Sequence, residues 1–329
     1  MKMFVLRKFT GFTVIRGLSL LVAVFLLFVF IRPGEEDGPP LMHRAVPQEQ
    51  REGASAHSFQ FAFLSDLHKG WGVFKPMMRE IARNGNVFAV IGGDIVAEGN
   101  AERYRFFFRE LSEVQGDTPL YFVPGNHDLA ADNDNATRGL ENFRRFCGPD
   151  HYWFSWGNTA CIVLNDADAG LTIPDDQFRW LESTLRELRG RFTHLFVFMH
   201  VPTLQPRESN RYNLPEPVGK RFMRLVEKFG VAYVFSGHLH CYFREIINGV
   251  TYVGAPAAGG TPRCPHPSYG YLQITVQGNE LKDSVIAVDN NWRLEFVGDV
   301  KYELRVRHPF LLPLLAVVLG QSSLYSLSR

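Results

Sequence analysis

The feature that most constrains this chain is a series of short apolar runs, each of which stops abruptly at polar residues. Runs of roughly four to eight apolar residues have the length of buried strands, and open α/β sheets bind ligands just beyond the carboxyl ends of their strands. The pattern therefore predicts a sheet protein in which several polar groups meet at one edge. The polar stops are Asp66-Leu-His68, Gly93-Asp94, Gly125-Asn126-His127-Asp128, a single His200, and Gly237-His238-Leu-His240.

Strand-like and helix-like segments alternate from about residue 58 onward. Apolar runs at residues 59–64, 87–91 and 120–123 predict strands, and segments of helical length and spacing lie between them. Asn248-Gly249 suits a two-residue hairpin turn, and a second turn is predicted near Gly278. The order is βαβα at first and mostly β afterwards. It predicts an α/β fold in which two sheets pack face to face with helices outside.

The charge balance argues against a nucleic-acid partner. The chain carries 35 Lys and Arg against 34 Asp and Glu, a formal net charge of +1. A protein that neutralises many backbone phosphates normally carries a basic stripe or a basic excess. A nuclease is therefore disfavoured, although it remains an alternative within metal-dependent hydrolysis.

The N-terminal segment predicts a membrane anchor over residues 1–32. Residues 17–31 form an uncharged apolar run that follows Arg16 and precedes Glu35 and Glu36. Because the basic flank of a span tends to stay in the cytoplasm, the rest of the chain is expected on the extracytoplasmic side. A cleaved signal peptide is the competing interpretation, but no Ala-x-Ala-like site follows Ile31.

The remaining boundaries follow from composition. Residues 33–57 are rich in Pro, Gly and charge and are expected to form a linker, and residues 58–306 contain all five motifs. Residues 307–329 form an apolar C-terminal tail, whose run at 309–319 is short for a span. An interfacial helix is favoured for this tail, and a second span or a packed segment remains open.

The four cysteines do not form a zinc-binding or thioredoxin-like pair. Cys161 lies in a strand-like run and is expected to be a buried thiol. Cys241 follows the last motif and Cys264 lies in a later loop, so these two could form a disulfide if the domain is exported.

Taken together, the ordered motifs resemble those of the calcineurin-like metallophosphoesterase superfamily. The resemblance covers roughly residues 58–300 and implies a four-layer α/β/β/α sandwich with two metal ions. It implies that Asp66, His68 and His240 bind one metal ion and that Asp94 bridges the two. The ligands of the other ion would then be Asn126, His200 and His238.

The same resemblance implies a catalytic chemistry. Carboxylates, imidazoles and one amide suit Mn, Fe or Zn, divalent or trivalent, better than Ca or Mg. A hydroxide held by the two metals would attack phosphorus, so no side chain is expected to act as nucleophile. His127 would stabilise the phosphoryl group or protonate the leaving group, and Asp128 would orient the ring of His127. Ala97 stands where many members carry an acidic or amide residue.

The substrate is open at this stage. A phosphomonoester, a phosphodiester or a pyrophosphate would suit the motifs, and lipid-linked esters and nucleotides are both compatible with a membrane-anchored enzyme. Arg207 or Arg211 could hold a phosphate, and Trp71 could either stack on a substrate or pack in the core. The alternative from another class is a metal-free interaction scaffold on the same fold. The oligomeric state is not specified by the sequence.

Overall fold

The computed structural model describes residues 58–130, 136–168, 170–203, 213–264 and 268–309 of the chain. The chain divides into two compact units, residues 39–298, and residues 1–38 together with 299–329. The predicted anchor, the predicted linker and most of the predicted tail lie outside the described residues. Within the described ranges, no helix has both the length and the apolar character that crossing a membrane requires.

Eleven strands are found in the described residues, all of them in the larger unit. They are β1 (Ser58–Leu64), β2 (Ala89–Ile91), β3 (Leu120–Phe122), β4 (Tyr152–Trp156), β5 (Thr159–Val163), β6 (His194–Phe198), β7 (Tyr233–Ser236), β8 (Phe243–Ile247), β9 (Val250–Gly254), β10 (Gly270–Gln277) and β11 (Glu280–Ala287).

The strands form two mixed sheets. One has the order β11-β10-β1-β2-β3, in which β1, β2 and β3 are parallel and β10 runs antiparallel to β1. The other has the order β4-β5-β6-β7-β9-β8, in which β5, β6, β7 and β9 are parallel. In each sheet a block of parallel strands therefore delivers several carboxyl ends to the same edge.

The two sheets share one aromatic core. Phe61 and Phe63 alternate along β1 and face the second sheet, where their rings meet Phe196, Phe198 and Phe235 at centroid distances of 5.4–6.1 Å. All five side chains are fully buried. Side chains two residues apart on a strand point to the same face, so the alternation of Phe in β1 brings the sheets together.

The helices of the described residues are α1 (Trp71–Arg83), α2 (Ala101–Ser112), α3 (Asn126–Leu129), α4 (Ala136–Cys147), α5 (Asp175–Leu188), α6 (Glu216–Phe229) and α7 (Trp292–Tyr302), which is followed by a π-helix at Glu303–Arg307. Of these, α1, α2, α4, α5 and α6 have amphipathic sequences.

Helix α2 covers the outer face of the first sheet. Phe107 and Phe108 of α2 contact Phe122 of β3 at 6.5 and 5.7 Å between ring centroids. The neighbouring Tyr121 points the other way and stacks on Phe154 of the second sheet at 3.6 Å. The prediction of an α/β fold with two sheets packed face to face is thus confirmed, and the structure adds that both sheets are mixed.

Two local expectations are also met. Asn248 and Gly249 join β8 to β9 with φ angles of 51° and 83°, as a type I′ turn requires. Trp71 is 1% exposed and its ring lies 5.2 Å from that of Phe106. Of the two interpretations of Trp71, core packing is therefore the one that the structure supports.

Candidate metal centre

The predicted site residues follow the carboxyl ends of parallel strands from both sheets. Asp66, Asp94 and the Asn126-His127 pair come after β1, β2 and β3, and His200 and the His238–His240 motif come after β6 and β7. Because the two sheets face each other, these strand ends converge on one edge of the sandwich.

The first group of possible ligands comprises Asp66, His68, Asp94 and His240. Each offers one ligand atom, and the four atoms lie within 4.8 Å of one another. The Nε2 atoms of His68 and His240 are 3.3 Å apart, and His240 Nε2 is 3.3 Å from Asp66 Oδ1. Asp66 is held in place by the backbone N–H of His238, which donates to its carboxylate at 2.9 Å.

The second group comprises Asp94, His200 and His238, again with ligand atoms within 4.8 Å of one another. The amide oxygen of Asn126 lies 3.2 Å from His200 Nε2, which places this oxygen beside the same group. His200 is completely buried, whereas the ring of His238 lines an open cavity.

Asp94 belongs to both groups. Its Oδ2 lies 3.4 Å from His200 Nε2 and 3.7 Å from His68 Nε2. Its Oδ1 accepts the backbone N–H of His127 at 2.8 Å, which fixes the carboxylate plane. Gly93, at φ 96°, permits the approach, because a Cβ there would lie 2.4 Å from His200 Nδ1. One carboxylate therefore lies between the imidazoles of the two groups.

The rings are oriented by backbone carbonyls. His200 Nδ1 lies 2.8 Å from the Gly92 oxygen, and His240 Nδ1 lies 2.7 Å from the Thr261 oxygen. A carbonyl oxygen can only accept, so each Nδ1 carries the hydrogen and Nε2 faces the carboxylates. Metal-binding histidines typically use this arrangement. The donor set and its orientation therefore fit divalent cations bound by mixed nitrogen and oxygen ligands.

Burial and neighbouring charges have opposing effects on the pKa values of the ligand candidates. Burial opposes ionisation of Asp66, but the neighbouring His240 outweighs burial and lowers the pKa of Asp66 to about 2. Burial alone would lower the pKa of His200, yet the carboxylate of Asp94 raises it to about 10. For His238, burial and the charge of His200 lower the pKa to about 4. The buried carboxylate of Asp94 thus favours a positive charge on His200 but does not overcome burial and the charge of His200 at His238.

His127 and Asp128 are close to the two groups, but their relation differs from the expected one. His127 Nδ1 lies 2.9 Å from the backbone oxygen of Ala97. The buried carboxylate of Asp128 accepts the backbone N–H groups of Gly125, Ile95 and Val96 at 2.9, 3.0 and 3.1 Å. The expectation that Asp128 orients the ring of His127 is corrected, because the partner of His127 Nδ1 is the Ala97 carbonyl. Asp128 instead joins the loop after β2 to the loop after β3 through backbone N–H groups.

Asp166 was not singled out from the sequence, although it supports the site. It follows β5 and is fully buried, and its carboxylate accepts the N–H of His200 at 2.9 Å and that of Val201 at 2.8 Å. Burial raises the pKa of Asp166 to about 7. The signal that could have identified it is its position, since Asn165-Asp166 ends an apolar run as the other motifs do.

A cavity of about 390 Å³ opens over the two groups. Part of its wall comes from residues 257–264, which we call the site loop. Cys264 of this loop forms a disulfide with Cys241, the pairing considered possible from the sequence. Arg207 and Arg211, the two arginines that the sequence suggests for phosphate binding, lie outside the described residues. Besides ligand candidates, the lining includes His127, Lys69, Thr261, Arg263 and Glu295.

Comparison with known proteins gives a family match. The model of the calcineurin-like phosphoesterase family matches residues 59–242. The mouse serine/threonine-protein phosphatase CPPED1 is 32% identical over 167 residues, which cover 46% of this chain and 53% of that protein. A 3′,5′-cyclic-nucleotide phosphodiesterase of Nostoc sp. is 27% identical over 172 residues, covering 50% of this chain and 60% of that protein. The chain therefore spans little more than half the length of these relatives.

Solved structures support the fold. Purple acid phosphatase PPD1 from yellow lupin seeds has a TM-score of 0.56 at 14% identity, covering 73% of this chain and 55% of that one. GAP50 of Plasmodium, described as the anchor in the inner membrane complex, has a TM-score of 0.54 at 14% identity, covering 70% of this chain and 84% of that one. At such low identity, the likeness concerns the fold alone.

Proposed function

Because this chain belongs to the calcineurin-like phosphoesterase family, we propose that it hydrolyses phosphate esters with two metal ions held at the edge of its sheets. The observation that carries the proposal is the position of Asp94 within both ligand groups. A phosphomonoester, a phosphodiester and a pyrophosphate all contain the phosphoryl group that such a site would recognise.

Each ligand candidate has a distinct part in this proposal. Asp66, His68 and His240 would hold one ion, Asn126, His200 and His238 would hold the other, and Asp94 would be available to both. Two metal ions, when bound, supply an activated water and neutralise charge on the phosphoryl oxygens. The hydrogen bonds from Nδ1 of His200 and His240 to backbone carbonyl oxygens keep the Nε2 atoms of both rings directed toward the carboxylates. The mixed nitrogen and oxygen donor set favours Mn, Fe or Zn.

His127 acts on the substrate rather than on a metal ion. Its Nδ1 is engaged by the Ala97 carbonyl, and its ring lines the cavity. The other ring nitrogen, Nε2, is therefore the atom that meets a phosphoryl oxygen or the leaving group. A protonated Nε2 can donate a hydrogen bond to the phosphoryl group and pass its proton to the departing alkoxide.

The proposal is tested on the full-length chain after reconstitution with Mn, Fe or Zn. The protein is expected to hydrolyse p-nitrophenyl phosphate or bis-p-nitrophenyl phosphate. This activity should be lost when a chelator removes the metal ions and in the variant His238→Ala. The matched control is His308→Ala, because His308 lies outside the cavity and its side chain is 50% exposed. Activity that survives chelation and His238→Ala would favour the metal-free scaffold or another mechanism.

We also propose that the catalytic unit lies on the extracytoplasmic side of a membrane, anchored by residues 1–32. The uncharged run at residues 17–31 with its basic N-terminal flank supports the anchor. The Cys241–Cys264 disulfide supports an oxidising compartment. In intact spheroplasts, external protease should digest the catalytic unit. Full protection, with digestion only after lysis, would overturn this topology.

A further inference from the structure

The site loop is attached to the proposed metal centre at several points. The N–H of Gly260 donates to the backbone carbonyl oxygen of Asp66 at 2.7 Å, and His240 Nδ1 lies 2.7 Å from the backbone carbonyl oxygen of Thr261. A Cβ added to Gly260 would lie 2.6 Å from His68 and 2.7 Å from His240. The loop therefore lies directly against both histidines of the first ligand group.

Two neighbouring links join the end of this loop to the last motif. The N–H of Arg263 donates to the oxygen of His240 at 3.2 Å, and the next residue, Cys264, is bonded to Cys241. The dipeptide Arg263-Cys264 is thus tied to His240-Cys241 by one hydrogen bond and one covalent bond. This double link restrains the backbone of Arg263 and therefore limits the space that its side chain can reach.

Arg263 is a cationic residue in the wall of the cavity. It lines the cavity together with Lys69 and Glu295, which come from other parts of the chain. The carboxylate of Glu295, which lines the same cavity, accepts the N–H of Gly72 at 2.6 Å. Of Arg263 and Lys69, only the arginine has a planar guanidinium, which can donate two parallel hydrogen bonds to two oxygens of one phosphate.

We propose that Arg263, held in place by the Cys241–Cys264 disulfide, binds a phosphoryl oxygen of the substrate and makes the site favour phosphate monoesters over diesters. This inference rests on the proposed phosphoesterase function. A monoester carries close to two negative charges at neutral pH, and a diester carries one. A guanidinium in the wall of the cavity therefore gains more from the monoester, whose extra oxygen is charged and unsubstituted.

The test compares p-nitrophenyl phosphate with bis-p-nitrophenyl phosphate in full-length, metal-loaded protein. Arg263→Ala should raise KM for the monoester about tenfold to a hundredfold, which is the range for losing hydrogen bonds to a charged group. KM for the diester should change less. For Arg263→Lys, the KM for the monoester should lie between those of the wild type and Arg263→Ala, because lysine keeps the charge but lacks the planar guanidinium. Arg224→Ala, on the exposed face of α6, is the control.

A second measurement does not depend on turnover. Titration calorimetry with inorganic phosphate should show weaker binding to Arg263→Ala by a similar factor, at unchanged metal content. The double variant Cys241→Ser with Cys264→Ser should shift the monoester-to-diester preference in the same direction as Arg263→Ala. This shift reports the role of the disulfide in positioning the arginine.

The outcomes separate the two proposals. If wild-type protein hydrolyses both esters but Arg263→Ala changes neither their ratio nor phosphate binding, the role of Arg263 is wrong and the phosphoesterase function stands. If metal-loaded wild-type protein hydrolyses neither ester and does not bind phosphate, the proposed function itself is wrong and this inference is overturned with it.

Discussion

At the scale of single residues, the backbone angles of the ligand candidates are unusual. Asp66, His68, Asp94, His238 and His240 all have φ between 51° and 65°, in the left-handed region. Residues other than glycine rarely adopt these angles, and each such position costs roughly 1–3 kcal/mol. The surrounding hydrogen bonds, such as those of Asp66 with His238 and of Asp94 with His127, hold the strained turns in place. Strain concentrated at these residues agrees with a functional role.

His127 gives a prediction at this scale. His127→Gln should lower kcat by roughly 100- to 10,000-fold on an alkyl phosphate. It should leave the metal content unchanged, because neither ligand group includes His127. The loss should be smaller with p-nitrophenyl phosphate, whose leaving group departs without a proton. Steady-state kinetics over a series of leaving groups tests this role. An equal loss for all leaving groups, together with loss of metal, would mean that His127 is a ligand.

At the scale of elements, the site loop and the strand ends depend on each other. Gly260 is buried between His68 and His240, where a Cβ would lie closer than 3 Å to both rings. Gly260→Ala should therefore displace one ring and weaken metal binding by roughly tenfold to a hundredfold, as loss of ligand orientation does elsewhere. Metal titration followed by fluorescence or calorimetry would measure the change.

The control for this substitution is Gly190→Ala. Gly190 has nothing within 4 Å of an added Cβ and lies just beyond α5. It should bind metal as the wild type does. Wild-type affinity in Gly260→Ala would show that the site loop does not constrain the two histidines.

A second element-scale prediction concerns the junction of α4 with the end of β5. The carboxylate of Asp150 accepts hydrogen bonds from Arg144 Nε at 2.9 Å and Asn165 Nδ2 at 3.1 Å. Burial opposes its ionisation, but hydrogen bonds from His151, Arg144 and Asn165 outweigh burial and hold the pKa of Asp150 well below its usual 3.8. A lowered folded pKa stabilises the native state above about pH 4, and this stability is lost as pH falls through the folded pKa.

Asp150→Asn should accordingly lower the free energy of unfolding of metal-free protein by about 1–3 kcal/mol at pH 7. The difference from wild type should shrink as pH falls below about 4. Urea unfolding at a series of pH values measures it, with the exposed Glu187→Gln as a control. A difference that stays constant down to pH 2 would show that the ionised carboxylate is not its source.

The sequence predicts the strands and the ligand candidates well because both are local patterns. Apolar runs that end in Asp66 or His200 identify a strand and its end together. The partner of His127 could not be predicted, because the Ala97 carbonyl is a backbone atom and leaves no trace in residue type. The contact of Gly260 with two histidines depends on a loop that returns from far along the chain. Such non-local packing is set by the sheets rather than by any motif.

At the scale of the whole molecule, two sheets are needed to build one site. The first ligand group takes Asp66 and His68 from the first sheet and His240 from the second, and Asp94 connects this group to His200. The aromatic contacts of Phe61 and Phe63 with the second sheet therefore hold the site together as well as the core. Neither sheet alone carries a complete group of ligands.

The central claim is a binuclear metal centre shared by Asp94. Its most direct test is to measure the metal content of reconstituted full-length protein by inductively coupled plasma mass spectrometry, together with its phosphoesterase activity. Wild-type protein should bind two metal ions per chain. Asp94→Ala should bind fewer and lose activity by at least about 100-fold, because removing outer partners of a metal site alone costs up to that much. Asp283→Asn, which alters a carboxylate paired with Arg244 away from the cavity, should behave as wild type. Two ions retained by Asp94→Ala, or none bound by wild type, would contradict a binuclear centre shared by Asp94.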